Sequence, residues 1–292
     1  MNSDMPQEVN ASVFLQDVLK VLLPHYEEYE ARSIAFELLE RQFNMSKHDV
    51  VLGNEVVLPA NHQLEEYLQR LIHQEPIQYI TEVADFYGLE FQVNPHVLIP
   101  RPETEELVHL IIQEQNERQN VNILDIGTGS GCIPISLKKN LPKAAVYGVD
   151  ISLQALQVAH ENAVKNEVTV NFSQLDVLTQ DLSNFPKFQV IVSNPPYVRA
   201  LEKEKMQANV LDHEPHLALF VPNANPLLFY KRITQLAAVA LENGGMLYFE
   251  INEAFGKECL ELLANYGFQQ ISLIKDMQGK DRMVKGMKNT DF

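Results

Sequence analysis

Beyond residue 120, short and mostly apolar runs alternate with longer stretches of helical periodicity, and that alternation leaves few folds open. "VNILDIG", "AAVYGVD", "VNFSQLD", "FQVIVS" and "GGMLYFEIN" read as strands. "GCIPISLKKNL" and "SLQALQVAHENAVKN" read as the helices between them, the first with a proline in its opening turn. Such βαβ alternation implies an open, mostly parallel sheet with helices on both faces. "ISLIKDM" and "DRMVKGM" are expected to pair antiparallel at the sheet edge. The expected fold class is therefore α/β, with ligands gathered at the C-terminal ends of the strands.

The first 80 residues have a different texture. In "YEEYEARSIAFELLERQF", Ala31, Ile34, Ala35, Leu38 and Leu39 recur at the spacing of one helix face. Leu64, Leu68, Leu71 and Ile72 repeat it in "LEEYLQRLI". Pro24, Gly53 and Pro59 divide the segment into several short helices. A small helical domain is expected over residues 1–82, acidic and without a catalytic cluster. Residues 83–292 form the expected second domain, of which 83–105 is a linking segment. There "FYGLEFQV" alternates like a strand or hairpin and Asn94-Pro95 turns the chain. "RPETEELVHLIIQEQ" then enters a helix, with Glu103 and Glu105 near its positive N-terminus.

Composition excludes several classes. No run approaches the roughly 18 apolar residues of a membrane span, and "MNSDMPQEVN" lacks the basic flank and apolar segment of a signal peptide. The two cysteines, Cys132 and Cys259, make neither a disulfide framework nor a metal pattern, so a reducing cytoplasm is expected. A formal net charge of −16 disfavours nucleic acid as the main partner, because phosphate binding normally requires a basic face.

In "LDIGTGSGCI", Gly127, Gly129 and Gly131 stand between the first strand and its helix, where glycine allows a sharp turn and close approach of backbone to ligand. Asp150 ends the second strand, 19 residues past Gly131, where a carboxylate can accept both hydroxyls of an adenosine ribose. An adenosine-containing cofactor follows. The spacing is G-x-G-x-G rather than the dinucleotide G-x-G-x-x-G, and it is preceded by Asp125. That tighter pattern resembles motif I of the class I methyltransferases, which implies S-adenosylmethionine; its cationic groups suit an acidic loop. Asp176, expected at the end of the next strand, is placed to meet the adenine, with Val177 packing on the ring. A solvated strand-end carboxylate is the alternative for Asp176.

Asn194, Pro195, Pro196 and Tyr197 then follow the run "VIVS" on the same sheet edge. Two prolines cannot continue a ladder. They can hold acceptors stiffly. A planar NH2 group has a delocalised lone pair and is a poor nucleophile. The Asn194 side-chain oxygen and the Pro195 carbonyl can accept its N–H hydrogens, orienting the nitrogen and stabilising positive charge that grows on it. Tyr197 is expected to add a flat apolar wall.

The NPPY stretch resembles that of the amino-methyltransferases. Together with "PIQYITEVADFYGLEFQVNPHVLIPRPETEELV", "LDIGTGSGCI", "DHEPHLALF" and "GKDRMVKG", it makes nearly the full chain resemble the PrmC/HemK family of release-factor glutamine methyltransferases. That resemblance implies a class I (Rossmann-like) methyltransferase sheet with a small N-terminal helical domain. It also implies S-adenosylmethionine-dependent methylation of the glutamine amide in the Gly-Gly-Gln loop of peptide chain release factors. Gly127, Thr128, Gly129, Ser130, Gly131 and Asp150 would bind the cofactor. Asn194, Pro195, Pro196 and Tyr197 would hold the glutamine amide, with Asn194 close to the cofactor as well. The chain departs from the family pattern at "TEVADF", at "FVPNANPLLFY" in place of a glycine-rich segment, and at Val177 in place of an aromatic residue.

His213, Glu214 and His216 lack the spacing of a zinc motif, and Pro215 interrupts any helix aligning them; a structured loop beside the substrate channel is expected instead. Cys132 is expected to pack its helix on the sheet. Rival functions are a ribosomal-protein glutamine methyltransferase, a nucleic-acid amino-methyltransferase and a nicotinamide dehydrogenase. Charge, glycine spacing and "RPETE" disfavour them.

Overall fold

A computed structural model describes residues 7–59, 62–118 and 120–289. The outermost residues of the expected domains, 1–6 and 290–292, lie outside the described residues. Those described within Met1–Glu82 and Gln207–His213 form one compact unit, and those within Val83–Met206 and Glu214–Phe292 another.

In the first unit, β1 (Gln7–Asn10) leads into α1 (Ala11–Leu22), whose start is capped by the Asn10 side chain accepting from Val13 N at 3.2 Å. Next come α2 (Glu28–Phe43) and α3 (Lys47–Leu52). Ser46 and Asp49 form a reciprocal capping box at the start of α3, and Gly53 ends it in a left-handed conformation. Then follow β2 (Glu55–Leu58), α4 (Leu64–Ile72) and α5 (Ile77–Thr81). The expected face of α2 is buried, with Ala31, Ala35, Leu38 and Leu39 at 0 % exposure. On α4 only Leu71 is fully covered, while Leu64 and Leu68 pack at the margin of the same core. The antiparallel pairing of β1 with β2 departs from the all-helical expectation. Both strands have four residues and neither shows the polar-apolar alternation that betrays a strand.

The second unit opens with a hairpin of β3 (Val83–Phe86) and β4 (Leu89–Gln92), turned through Tyr87 and Gly88, both at positive φ. Helix α6 (Pro102–Gln115) follows, with proline in its first turn beside Glu103 and Glu105. The chain then runs through β5 (Asn122–Ile126), α7 (Cys132–Asn140), β6 (Ala145–Asp150), α8 (Leu153–Lys165), β7 (Asn171–Gln174) and β8 (Phe188–Ser193). Short elements come next: β9 (Val198–Arg199), α9 (Ala208–His213, part of the first unit), α10 (His216–Leu219) and β10 (Phe220–Val221). The last are α11 (Leu228–Ala240), β11 (Leu241–Glu250), α12 (Gly256–Asn265), β12 (Phe268–Lys275) and β13 (Asp281–Lys288).

Seven strands form one sheet in the order β12-β13-β11-β8-β5-β6-β7. The pairs from β11 to β7 are parallel, whereas β13 and β12 are antiparallel at the edge, as expected. Alternate residues feed two cores. Leu124, Ile191, Leu247 and Phe249 enter one with Tyr230 and Ile233 of α11, and Ile123, Val190, Val192 and Tyr248 enter the other with Leu107 and Ile111 of α6. Burial on both faces explains why these strands read as continuous apolar runs. The strand order reverses between β5 and β8, a switch point that opens a crevice at the strands' C-terminal ends. Among the described residues, no helix is long and apolar enough to cross a membrane.

Candidate active site

A cavity of about 350 Å³ lies at this switch point. Gly127 and Gly129 after β5, Asp150 at the end of β6, Asp176 and Val177 after β7, and Asn194, Pro195 and Pro196 after β8 all line it. The sheet thus gathers residues that lie 67 positions apart in the chain, from Gly127 to Asn194, at one opening.

The loop after β5 folds back on β6. Gly127 N and Thr128 N both donate to the Val149 carbonyl, at 2.8 and 3.1 Å. Gly127, Gly129 and Gly131 have φ of 78°, 52° and 81°, a region that favours glycine. A Cβ at Gly127 or Gly129 would meet no protein atom within 4 Å, so the space above these two is left for a ligand. Gly131 has a different reason: its Cβ would fall 2.9 Å from Ile135 Cδ1 and 3.1 Å from Ala159 Cβ, where α7 and α8 pack. Thr128, Ser130 and Gly131, expected among the cofactor contacts, are not on the cavity wall; their side chains or packing face the protein interior.

Asp150 is fixed on both oxygens, Oδ2 accepting from Gly129 N at 2.9 Å and Oδ1 from Ser152 N at 3.0 Å. Each oxygen keeps a second lone pair for a ligand hydroxyl. Burial pushes its carboxyl above the ordinary value, and the backbone donors of Ser152 and Gly129 pull it back. Asp125, beneath the loop, is completely buried. Neither of its oxygens meets a donor in hydrogen-bonding geometry, although the Thr128 hydroxyl lies near enough to ease the charge. Burial, with the Asp150 charge adding, pushes the Asp125 carboxyl up to about 7.

Strand β7 ends at Gln174, so Asp176 sits two residues beyond it rather than at its end. Its carboxylate accepts from Leu178 N at 2.9 Å and the Thr179 hydroxyl at 2.8 Å, closing its own turn. Arg232 of α11 pins that turn by donating to the carbonyls of Val177 at 3.0 Å and Gln180 at 2.7 Å. Helix α11 also supplies Phe229 and Ile233 to the cavity wall. Phe229 belongs to the divergent "FVPNANPLLFY" stretch, where no helix was expected.

The NPPY loop is held from four directions. The Ser193 hydroxyl donates to the Ile126 carbonyl at 2.6 Å, tying the end of β8 to β5. Asn194 Nδ2 donates to Thr104 Oγ1 of α6 at 3.2 Å. The Tyr197 hydroxyl donates to Glu250 Oε1 at 3.0 Å, and Asn252 Nδ2 donates to the Tyr197 carbonyl at 3.2 Å. Tyr197 is therefore not the expected apolar wall. Its ring packs on the sheet core and does not line the cavity, and burial together with the Glu250 charge pushes its phenol well above the ordinary value.

Two further stretches line the cavity. Pro95–Leu98, between the β4 hairpin and α6, was given no role by the sequence analysis beyond a turn. Pro215 and, on the short helix α10 that stands where a loop was expected, Leu217 and Ala218 also line the cavity. Glu214, with its side chain 1 % exposed, anchors the start of this stretch through Arg101 Nη2 at 2.6 Å. Thr104, Arg101, Glu214 and Glu250 were missed as a set. The one available signal was an acid closing the apolar run "LYFE".

These residues fit an adenosine cofactor with a charged amino-acid end. Asp150 supplies a carboxylate with lone pairs to spare, Gly127 and Gly129 leave open space, and Val177, Phe229 and Ile233 give apolar wall. Among the described residues, no three His, Cys, Asp or Glu side chains cluster as metal ligands.

Known families match both parts of the chain. Residues 104–217 match the Methyltransferase small domain, and residues 12–81 the PrmC N-terminal domain. A release factor glutamine methyltransferase from Flavobacterium psychrophilum is 50% identical over 274 residues, 91% of this chain and 95% of its own length. One from Bacteroides thetaiotaomicron is 44% identical over 261 residues, 89% of this chain and 93% of its own. The crystal structure of a methyltransferase from Pyrococcus furiosus shares the fold, with a TM-score of 0.52 and 17% identity over 77% of this chain and 99% of that one. The chain is an S-adenosylmethionine-dependent methyltransferase, and it belongs to the family of release factor glutamine methyltransferases.

Proposed function

We propose that this enzyme methylates the side-chain amide nitrogen of the glutamine in the Gly-Gly-Gln loop of peptide chain release factors, in the cytoplasm. The observation that carries this reading is the position of Asn194, Pro195 and Pro196 in one cavity with Gly127, Gly129 and Asp150. S-adenosylmethionine, when bound, supplies an electrophilic methyl group. Asp150 would accept the ribose hydroxyls, the Gly127–Gly129 backbone would pass beneath the amino-acid end, and Val177 would pack on the adenine beside Asp176. Asn194 Oδ1 and the Pro195 carbonyl would accept the two amide N–H hydrogens, which fixes the nitrogen and stabilises charge gathering on it. Pro195 and Pro196 hold those acceptors, and Tyr197 anchors the loop from behind. No side chain need act as a strong base, because a methylated cationic amide nitrogen is acidic and loses its proton to water.

The described residues of the first unit carry no catalytic cluster, and its role in this scheme is recognition of the protein substrate. Release factor, rather than nucleic acid, fits a chain of net charge −16. The test is incubation with labelled S-adenosylmethionine and, separately, release factor, ribosomal protein or DNA, with mass spectrometry locating the methyl group. Label on the release-factor glutamine is expected. Label only on a ribosomal protein or a base amine would overturn the assignment.

A further inference from the structure

Glu250 closes strand β11, is 1 % exposed, and receives a hydroxyl on each oxygen. Thr104 donates to Oε2 at 2.6 Å and Tyr197 to Oε1 at 3.0 Å. A carboxylate only accepts, so both hydroxyl hydrogens are committed to it. Thr104 Oγ1 then has only lone pairs to offer, and Asn194 meets it with Nδ2 at 3.2 Å. Turning the Asn194 carboxamide over would set Oδ1 against those lone pairs with no hydrogen between them. We infer that Glu250, acting through Thr104, is the positioning residue that fixes Asn194 with Oδ1 toward the substrate, and so makes the site selective for acceptors that present N–H hydrogens.

This inference rests on the planar-amide substrate proposed above. Burial holds the Glu250 carboxyl above its ordinary value, and the groups that face it offset only part of that shift. Burial opposes the charge, while the Thr104 and Tyr197 hydroxyls and Arg282 favour it and Glu103 opposes it. Arg282 is itself paired with Asp276 at 3.1 Å, and the Cys132 thiol, pushed up to about 12 mainly by burial, stays neutral nearby. Glu250→Gln keeps the shape but brings hydrogens of its own. An Nε2 hydrogen donated to Thr104 frees the threonine hydroxyl to turn toward Asn194, which then favours the inverted carboxamide.

Full-length Glu250→Gln, Thr104→Val and Thr104→Ser variants test this. With release factor as acceptor, Glu250→Gln and Thr104→Val should lose about 10- to 100-fold in kcat, the scale of a misoriented reacting group. KM and cofactor affinity should stay near wild type in variants that remain folded at the assay temperature, and Thr104→Ser should recover most of the rate. Should Glu250→Gln not fold, the threonine pair carries the test. A second readout needs no substrate: the Asn194 side-chain NH2 resonances, assigned by their loss in Asn194→Asp, should shift in Thr104→Val and stay in place in Thr104→Ser. A Thr104→Val enzyme with wild-type kcat and unshifted resonances overturns the inference, as does a Thr104→Ser enzyme as slow as the valine variant. A wild-type enzyme that leaves glutamine unmethylated overturns the proposed function instead, while the resonances still report the orientation.

Discussion

Arg101 and Glu214 meet at 2.6 Å across 113 residues of sequence, joining the segment before α6 to the stretch that lines the cavity at Pro215 and Leu217. The glutamate carboxylate is almost wholly buried and also lies 3.4 Å from Ile99 N. Burial pushes its carboxyl up, and Arg101 pulls it back.

Arg101→Ala should therefore leave a buried, uncompensated acid. Removing one partner of a buried pair costs about 3–5 kcal/mol, and the partial exposure of Arg101 places this case toward the lower end. Chemical denaturation at neutral pH should show that loss, and Arg101→Ala combined with Glu214→Gln should recover part of it. A single variant as stable as wild type would contradict the pairing.

Asp150→Ala should act on cofactor binding. Hydrogen bonds to charged groups contribute about 1.5–3 kcal/mol, so affinity for S-adenosylmethionine should fall by roughly one to two decades. The same substitution frees Gly129 N and Ser152 N, so the loop should lose amide-exchange protection as well. Calorimetric titration of a folded variant reads the first effect, and an unchanged dissociation constant would remove Asp150 from the site.

Asp125 gives a pH dependence with a definite sign. Its native carboxyl titrates at about 7, against roughly 3.9 in an unfolded chain. Between those values the native state binds more protons than the unfolded one, so stability falls as pH rises through this window and stays lower above it. Asp125→Asn removes the penalty. In the absence of cofactor the variant should be more stable than wild type at pH 8, by on the order of 4 kcal/mol at full expression. The gain should fade as pH approaches 4. A stability difference that is flat across pH would contradict a buried, strained acid.

Much of the sheet was legible because its strands are covered on both faces, and the residues closing β5, β6 and β8 carry their chemistry in local motifs. What escaped was of two kinds. Strands β1 and β2 are too short to show a period, and α11 starts at Leu228 behind Leu227, whose side chain cannot cap it, so no side-chain start signal marks it. The supports of the site escaped for another reason. Thr104 meets Glu250 across 146 residues and Asn194 meets Thr104 across 90, and no single stretch records such a contact. The role expected of Tyr197 failed for the same reason: an aromatic ring beside two prolines reads as a wall until the buried acid that takes its hydroxyl is in view.

The most direct measurement of the central claim is single-turnover methyl transfer to release factor by Asn194→Ala, taken together with cofactor affinity. Loss of one preorganised polar partner costs about 10²–10³ in turnover, and the account predicts a fall of that size with cofactor binding changed much less. Asn194→Asp keeps an oxygen acceptor but loses the hydrogen given to Thr104, so its rate should fall between alanine and wild type. An Asn194→Ala enzyme that transfers methyl at the native rate would contradict the account.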